Sequence, residues 1–295
     1  MTTSIGFIGL GLLGQAMVQR LINQGHAVTG FDVQAEKIDA LKQANPTKFT
    51  SAESCQDVAS QCPLILVCVT HTAALTEVIT GAQGVLAADR QPDRILIDHS
   101  TSDIEVTRQL ARQAAQKGRV QFIDAPVSGG PGAALDGTLS IMAGGAQTAI
   151  ESARPLMETL GRFTHMGAVG AGQATKLVNQ ALVLPAYCVI AEALRLAQAY
   201  GIDASKVPHA LETGHAGSNL LPVLFERMIA EDFTPTGYAR QILKDLEMLH
   251  SASSDQKLSM PMSSQALNLF RMLVGQGNGE LDGSSVVTLL PKAHD

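Results

Sequence analysis

The segment Asp124-Ala125-Pro126-Val127-Ser128-Gly129-Gly130 follows a short apolar run, 120–123, and has the residues of a turn that holds a small anion. Pro126 fixes its own φ, and the glycine pair lets backbone N–H groups approach a ligand without a Cβ in the way. Ser128 adds a hydroxyl, so the turn resembles a nest for a carboxylate; an ordinary strand-to-loop exit would carry the same residues. Further along, Lys176 stands in an apolar segment among Ala174, Leu177, Val178, Ala181 and Leu182. Helical spacing puts Asn179 and Gln180 on its side. Three polar side chains on a helix otherwise suited to burial must find partners or do chemistry.

A second constellation lies at the start. Gly9-Leu10-Gly11-Leu12-Leu13-Gly14 follows the apolar run 5–9 and opens a helical pattern. In that context Gly9 makes the tight turn, Gly11 admits a pyrophosphate and Gly14 lets helix and strand pack closely, with the helix start offering N–H groups to the phosphates. Asp32 closes the next apolar run, about 20 residues on, where a carboxylate accepts hydrogen bonds from ribose hydroxyls and repels a 2′-phosphate. Val33-Gln34-Ala35-Glu36 supplies no arginine for such a phosphate, so NAD is expected in preference to NADP. For Asp32 the plain alternative is a loop cap at a strand end.

Elements that position these groups can be read from the hydrophobic pattern. Apolar runs at 5–9, 27–31, 64–69, 95–98, 120–124 and 139–143 alternate with helical patterns at 12–24, 35–44, 72–79, 104–116 and 146–160. Runs of that kind suit strands buried on both faces, and the alternation predicts a Rossmann-type α/β domain, a doubly wound parallel sheet with ligands at the carboxyl ends of its strands. Past about residue 166 the strand signal stops. A helix from about 173 to 200, apolar nearly all round and expected to be enclosed by others, leads shorter helical patterns at 206–213, 221–230, 239–252 and 262–274. The expected domains are therefore 1–165, NAD-binding, and 166–295, all-α, for substrate and oligomerisation. Pro185 is expected to kink the long helix.

Composition narrows the class. With 295 residues, 45% hydrophobic and 16% charged, the chain can bury a large core. A net charge of -6 leaves no basic stripe, so no nucleic-acid partner is expected. Cys55, Cys62, Cys68 and Cys188 fall at no CxxC spacing. Reduced thiols, a cytoplasmic location and no metal site are expected. The opening apolar stretch has no preceding positive residue and is broken by glycines, unlike a signal peptide. The uncharged run 177–191 falls short of the roughly 20 apolar residues of a spanning helix, so no membrane association is expected.

Taken together, Gly6-Phe-Ile-Gly-Leu-Gly-Leu-Leu-Gly14, Asp98-His-Ser-Thr101, Asp124-Ala-Pro-Val-Ser-Gly-Gly130, Gly137-Thr-Leu-Ser-Ile-Met142, Gly170-Ala-Gly-Gln-Ala-Thr-Lys176-Leu-Val-Asn-Gln180 and Lys244-Asp-Leu246 resemble, in order and over nearly the whole length, the β-hydroxyacid dehydrogenase family. That family includes 3-hydroxyisobutyrate dehydrogenases and tartronate semialdehyde reductases and is related to 6-phosphogluconate dehydrogenase. The resemblance implies that Lys176 is the general acid/base acting on the substrate oxygen, and that Ser128, Gly129 and Gly130 bind the substrate carboxylate, with Asn179 and Gln180 beside them. It implies that Thr101 lies by the nicotinamide ribose, that Val69 and Thr70 pass over the cofactor, that Lys244 contacts the cofactor from the helical domain, and that the cleft lies between the domains. A homodimer or homotetramer acting on a small carboxylate is the implied assembly.

Gln180 stands where asparagine is common in the family and is in this more similar to the tartronate semialdehyde reductase branch, and Leu13 stands where methionine is common. His71 and His99 are unusual near the cofactor loops and have no assigned role; His215 and Asn219 are candidates for selecting the far end of the substrate. Hydroxyisobutyrate, glycerate or tartronate semialdehyde, serine and sulfonated three-carbon analogues remain open as substrates. Imine reduction, sugar-acid dehydrogenation and non-catalytic NAD binding are the rival readings.

Overall fold

The structure, a computed structural model, describes residues 4–88, 93–117 and 120–292. It packs as two compact units, Met1–Lys176 and Leu177–Asp295. The first unit carries strands β1 (Ile5–Ile8), β2 (Val28–Phe31), β3 (Phe49–Ser51), β4 (Leu64–Val67), β5 (Arg94–Asp98), β6 (Val120–Asp124), β7 (Val127–Ser128), β8 (Leu139–Gly144) and β9 (Gly161–Gly167). Its helices are α1 (Leu12–Asn23), α2 (Ala35–Ala44), α3 (Cys55–Gln61), α4 (Thr72–Thr80), α5 (Ile104–Gln116), α6 (Gly130–Asp136) and α7 (Gln147–Leu160). Strand order is β3-β2-β1-β4-β5-β6-β8-β7, with β9 on β8. β1 to β6 pair in parallel, whereas β8 runs antiparallel to β6 and β7.

The double winding follows from the strand sequences. Successive residues of a strand face opposite sides of the sheet, so strands apolar at every position need helices on both faces. Leu66, Ile97 and Ile123 pack with α1 and α7 residues such as Met17, Leu21, Ala153 and Met157. Their chain neighbours Ile65, Val67, Leu96 and Phe122 pack instead with Val58, Leu75, Ile79 and Leu110 of α3, α4 and α5. In register, the strands end on one row, Phe31, Ile8, Val67, Asp98 and Asp124. The Rossmann-type expectation holds.

Several elements were not expected from the pattern. β3 has one buried apolar residue, Phe49, and β7 has two residues in all, too little for a periodic signal. β9 alternates buried Gly161 and Phe163 with outward Arg162 and Thr164, a half-buried pattern that lacks an apolar run. β9 extends the sheet past residue 165, and the two compact units divide further on, at Lys176 within the long helix that follows.

The second unit is helical, and α8 (Ala171–Ala199) runs unbroken through Pro185. With α9 (Val207–Leu211), α10 (Leu220–Ala230), α11 (Ala239–Asp255) and α12 (Pro261–Gly275), it buries Leu184, Ala191 and Leu194 against Leu224, Phe225, Leu246 and Phe270. α8 is not enclosed all round: Val178, Leu182, Val189 and Leu196 form an exposed apolar stripe. By length and composition alone α8 would cross a membrane, with a mean hydropathy of 1.6 over its most apolar window. Its packed face is the core of the helical unit, the alternative use of such a helix. All four cysteines are free thiols.

Phe225 is fully buried in that core, so Phe225→Ala should cost about 3–5 kcal/mol from lost burial plus the cavity left behind. Val223→Ala, on the exposed side of the same helix, should stay within about 0.5 kcal/mol. Urea unfolding midpoints of the two variants check the contrast.

Candidate active site

The glycine loop is shaped by what surrounds it. Gly9 has φ +96°, and a Cβ there would lie 2.2 Å from the Cys68 carbonyl oxygen. A Cβ on Gly14 would lie 2.0 Å from the Gly9 carbonyl oxygen, so α1 seats directly under the turn. Gly11 precedes α1 without a side-chain cap, and a Cβ on it would meet nothing within 4 Å. Twelve residues of helix thus begin at uncapped N–H groups with open space in front, which fits a pyrophosphate.

Leu10 is buried below the loop, and its N–H donates to Asp32 Oδ2 at 2.7 Å. Gln34 N–H donates to Asp32 Oδ1 at 2.9 Å, and Lys37 Nζ lies 3.7 Å from Oδ2. Asp32 is therefore first a brace for the glycine loop; its carboxylate has lone pairs left for further donors. A cleft of about 470 Å³ is lined by Gly9, Gly11, Asp32, Val69, Thr70 and His71 among others. Those cofactor expectations come together there. Leu12 is exposed at the start of α1, and Leu13 is half-buried against the sheet core.

Behind the cleft, the ends of β4, β5 and β6 are tied by buried polar groups. Val69 N–H donates to Ser100 Oγ at 2.9 Å. Asp98 accepts from Ser100 N–H at 2.9 Å and from the Ser102 hydroxyl at 3.2 Å. Burial is the largest influence on Asp98 and pushes its pKa up to about 7, with the neighbouring Asp124 adding to the rise and the serine donors opposing it. Half-buried Thr101 lies in this loop.

Asp124 carries the other end of the arrangement. Its Oδ1 accepts from Gly170 N–H at 2.8 Å and its Oδ2 from Gln173 N–H at 2.9 Å, so the carboxylate caps α8. Burial pushes its pKa up to about 6 against these backbone donors. In the second turn of the helix, Lys176 is only 8% exposed, and its Nζ donates to the Val127 carbonyl oxygen at 2.8 Å. That carbonyl immediately precedes Ser128, and Gly129 and Gly130 follow with φ of +131° and +71°. Only glycine adopts such a pair of conformations at little cost. Lys176 and the Ser-Gly-Gly turn, distant in sequence, therefore adjoin, and the ammonium is buried rather than turned to bulk solvent.

In the helical unit, Asn179 Nδ2 donates to Gln180 Oε1 at 2.8 Å, and Gln180 Nε2 donates to Asp245 Oδ2. Lys244 Nζ pairs with Asp245 Oδ1 at 2.9 Å. The two amides and Lys244 thus form one network centred on Asp245. His215 and Asn219 are exposed in the connection before α10.

His71 is a helix cap: its Nδ1 accepts from Ala74 N–H at 3.0 Å. His99 Nδ1 donates to the Ala125 carbonyl oxygen at 2.7 Å, and burial holds its pKa down to about 4, so it is neutral. Sequence reasoning missed Lys37, Gln173 and Asp245, and gave Asp98 and Asp124 no task beyond their motifs. An acid at the last position of each of two adjacent strands was the signal available.

The profile of the NAD-binding domain of 6-phosphogluconate dehydrogenase matches residues 4–170, and one described as the NAD-binding of NADP-dependent 3-hydroxyisobutyrate dehydrogenase matches residues 170–290. The 2-hydroxy-3-oxopropionate reductase of Escherichia coli is 35% identical over 97% of this chain and 96% of its own. A Mycobacterium tuberculosis 3-hydroxyisobutyrate dehydrogenase, solved with L-serine, is 28% identical with a TM-score of 0.82 over 98% of this chain and 99% of that one. Psf3, solved with NADP+ and 2-OPP, is 25% identical with a TM-score of 0.90 over 97% of this chain and 100% of that one. The chain belongs to the β-hydroxyacid dehydrogenase family and is an NAD(P)-dependent oxidoreductase.

Proposed function

We propose that the enzyme interconverts a short β-hydroxy acid and its semialdehyde, with NAD preferred over NADP and Lys176 as the general acid/base. The observation that carries this reading is the buried Lys176 ammonium held by the carbonyl of Val127, next to a Ser-Gly-Gly turn able to take a carboxylate. The relatives that reduce 2-hydroxy-3-oxopropionate or bear the name 3-hydroxyisobutyrate dehydrogenase support the same substrate class.

A bound nicotinamide cofactor would supply or accept the hydride. The chain's own tasks are orientation and proton movement. Backbone N–H groups of the α1 start would hold the pyrophosphate, and Asp32 would hold the adenosine ribose. Ser128, Gly129 and Gly130 take the substrate carboxylate, which aims the far carbon at Lys176. In reduction Lys176 Nζ gives a proton to the carbonyl oxygen; in oxidation it receives one from the hydroxyl. For Asn179 and Gln180, held by Asp245, the resemblance implies a substrate role, and for Lys244 a cofactor role. Four free thiols, three of them buried, fit work in a reducing cytoplasm.

Initial rates with 3-hydroxyisobutyrate, glycerate and serine, each with NAD and NADP, and with tartronate semialdehyde and NADH, test the reading. Turnover of at least one acid, faster with NAD, is expected. Lys176→Ala should lower kcat by about 10²-fold or more while NADH affinity changes little. Near-normal turnover in that variant rejects the assigned role.

The exposed stripe of α8 supports a homodimer or homotetramer. The double variant Leu182→Asp, Leu196→Asp should sediment as a smaller species than the wild type at equal concentration. Both positions are exposed in the isolated chain, so unchanged assembly would place the interface elsewhere.

Asp98 and Asp124 give a pH dependence of stability. In the folded chain they keep their protons up to about 7 and about 6, whereas in the unfolded chain both release them near ~3.9. The folded state therefore binds more protons over that interval. Their contribution is complete below the unfolded value and is lost as pH rises through the folded ones. The urea midpoint should fall between about pH 4 and about pH 7, less steeply in Asp98→Asn, which removes one titrating group. Equal slopes would remove Asp98 from the account.

A further inference from the structure

Gln173 lies on α8 one turn before Lys176, on the same side of the helix by spacing. It is only 1% exposed, unusual for a long amide. Its Oε1 accepts from Ser102 N–H at 3.1 Å, and its Nε2 donates to the Ser100 carbonyl oxygen at 2.8 Å and lies 3.5 Å from Asp98 Oδ2. Its own N–H donates to Asp124 Oδ2. One residue thus engages the groups that end β5 and β6 and the serine whose hydroxyl holds Val69.

The lysine needs such a hold. Its side chain carries about 2 kcal/mol of rotamer entropy, so its tip is placed only where both the base and the tip of the stem are fixed. Val127 fixes the tip. The base is fixed by whatever prevents α8 from rotating or sliding, and a single cap at Asp124 leaves rotation about that cap open. The Gln173 amide, with a donor and an acceptor engaged by two residues of another loop, removes that freedom. An apolar side chain would fill the space without setting the angle.

We propose that Gln173 is a positioning residue, locking the first turns of α8 to the loop 98–102 and so setting where Lys176 Nζ stands relative to Val69 and Thr101. This rests on the reading of Lys176 as the general acid/base.

The test uses the full chain with 3-hydroxyisobutyrate and NAD or with tartronate semialdehyde and NADH, whichever the wild type turns over faster. Gln173→Met keeps length and volume but makes neither hydrogen bond. It should lower kcat by about 10- to 100-fold, the penalty of a misplaced catalytic group, with KM and NADH affinity moving less than about threefold. Gln173→Glu supplies a second readout. When protonated it offers a carbonyl to Ser102 N–H and an O–H to the Ser100 carbonyl; when ionised it faces Asp98, 3.5 Å from the present amide nitrogen, and repels it. Its kcat relative to wild type should therefore rise as pH falls from about 8 to about 6, while the ratio for Gln173→Met stays flat.

Added to Lys176→Ala, Gln173→Met should cost little more, because a residue acting through the lysine has nothing left to position. Wild-type kcat in folded Gln173→Met, a pH-independent ratio in Gln173→Glu, or fully multiplicative losses in the double variant overturn the proposal. Should Gln173→Met not fold, the pH ratio of Gln173→Glu decides alone. Near-normal turnover in Lys176→Ala removes the lysine reading instead, whatever Gln173 does. A wild type that turns over neither substrate overturns both.

Discussion

A carboxylate buried at the end of a parallel strand is costly unless donors surround it, and Asp124 meets that condition by taking the free N–H groups at the start of α8. The bargain works in both directions. The helix has backbone donors with no partner of their own, and a negative charge there also opposes the positive end of the helix dipole. Approach this close requires that nothing intervene. A Cβ on Gly144 would come within 2.5 Å of Asp124 Oδ1, and one on Gly172 within 2.4 Å of the Met142 carbonyl oxygen. Glycines on β8 and in the first turn of α8 therefore let strand and helix touch, and Lys176 inherits its place from that contact.

The same contact explains why some of the site could be read from sequence and some could not. The glycine fingerprint, the Ser-Gly-Gly turn and Lys176 were legible because each departs from what a strand or a helix would otherwise contain: glycine where Cβ is excluded, lysine where leucine would pack. β1, β4, β5 and β6 were legible because apolar residues at every position leave few other fates. Gln173 was not legible, since a glutamine near a helix start is ordinary until Ser100 and Ser102 are seen beside it. β9 was missed for a related reason. Gly-Arg-Phe-Thr-His-Met-Gly owes its strand to pairing with β8 along its length, and its own sequence buries little beyond Phe163.

α8 shows the limit of reading a helix by composition. A segment apolar nearly all round is suited to a core, to a subunit contact or to a bilayer, and the pattern alone does not separate them. The packing does so for one side, where Leu184, Ala191 and Leu194 join the helical core. On the other side Val178, Leu182, Val189 and Leu196 stay in water in the isolated chain. Four exposed apolar residues aligned on one side of a helix are suited to a contact, which is why a second subunit is the proposed cover.

Asp32 illustrates how one group serves both fold and recognition. Two backbone N–H groups already hold it, so its oxygens point where the glycine loop dictates, and the loop in turn depends on it. Its charge is not bare either, because Lys37 stands 3.7 Å away and is partly exposed. At that distance, with the lysine partly in water and the carboxylate largely covered, the pair is loosely coupled and partly screened by salt. A carboxylate so braced still presents lone pairs to ribose hydroxyls, while its repulsion of a 2′-phosphate is tempered by the adjacent ammonium. The proposed preference for NAD is thus a matter of degree, set by how far Lys37 offsets Asp32 at the edge of the cleft, and it should narrow as rising ionic strength screens the repulsion on which it depends.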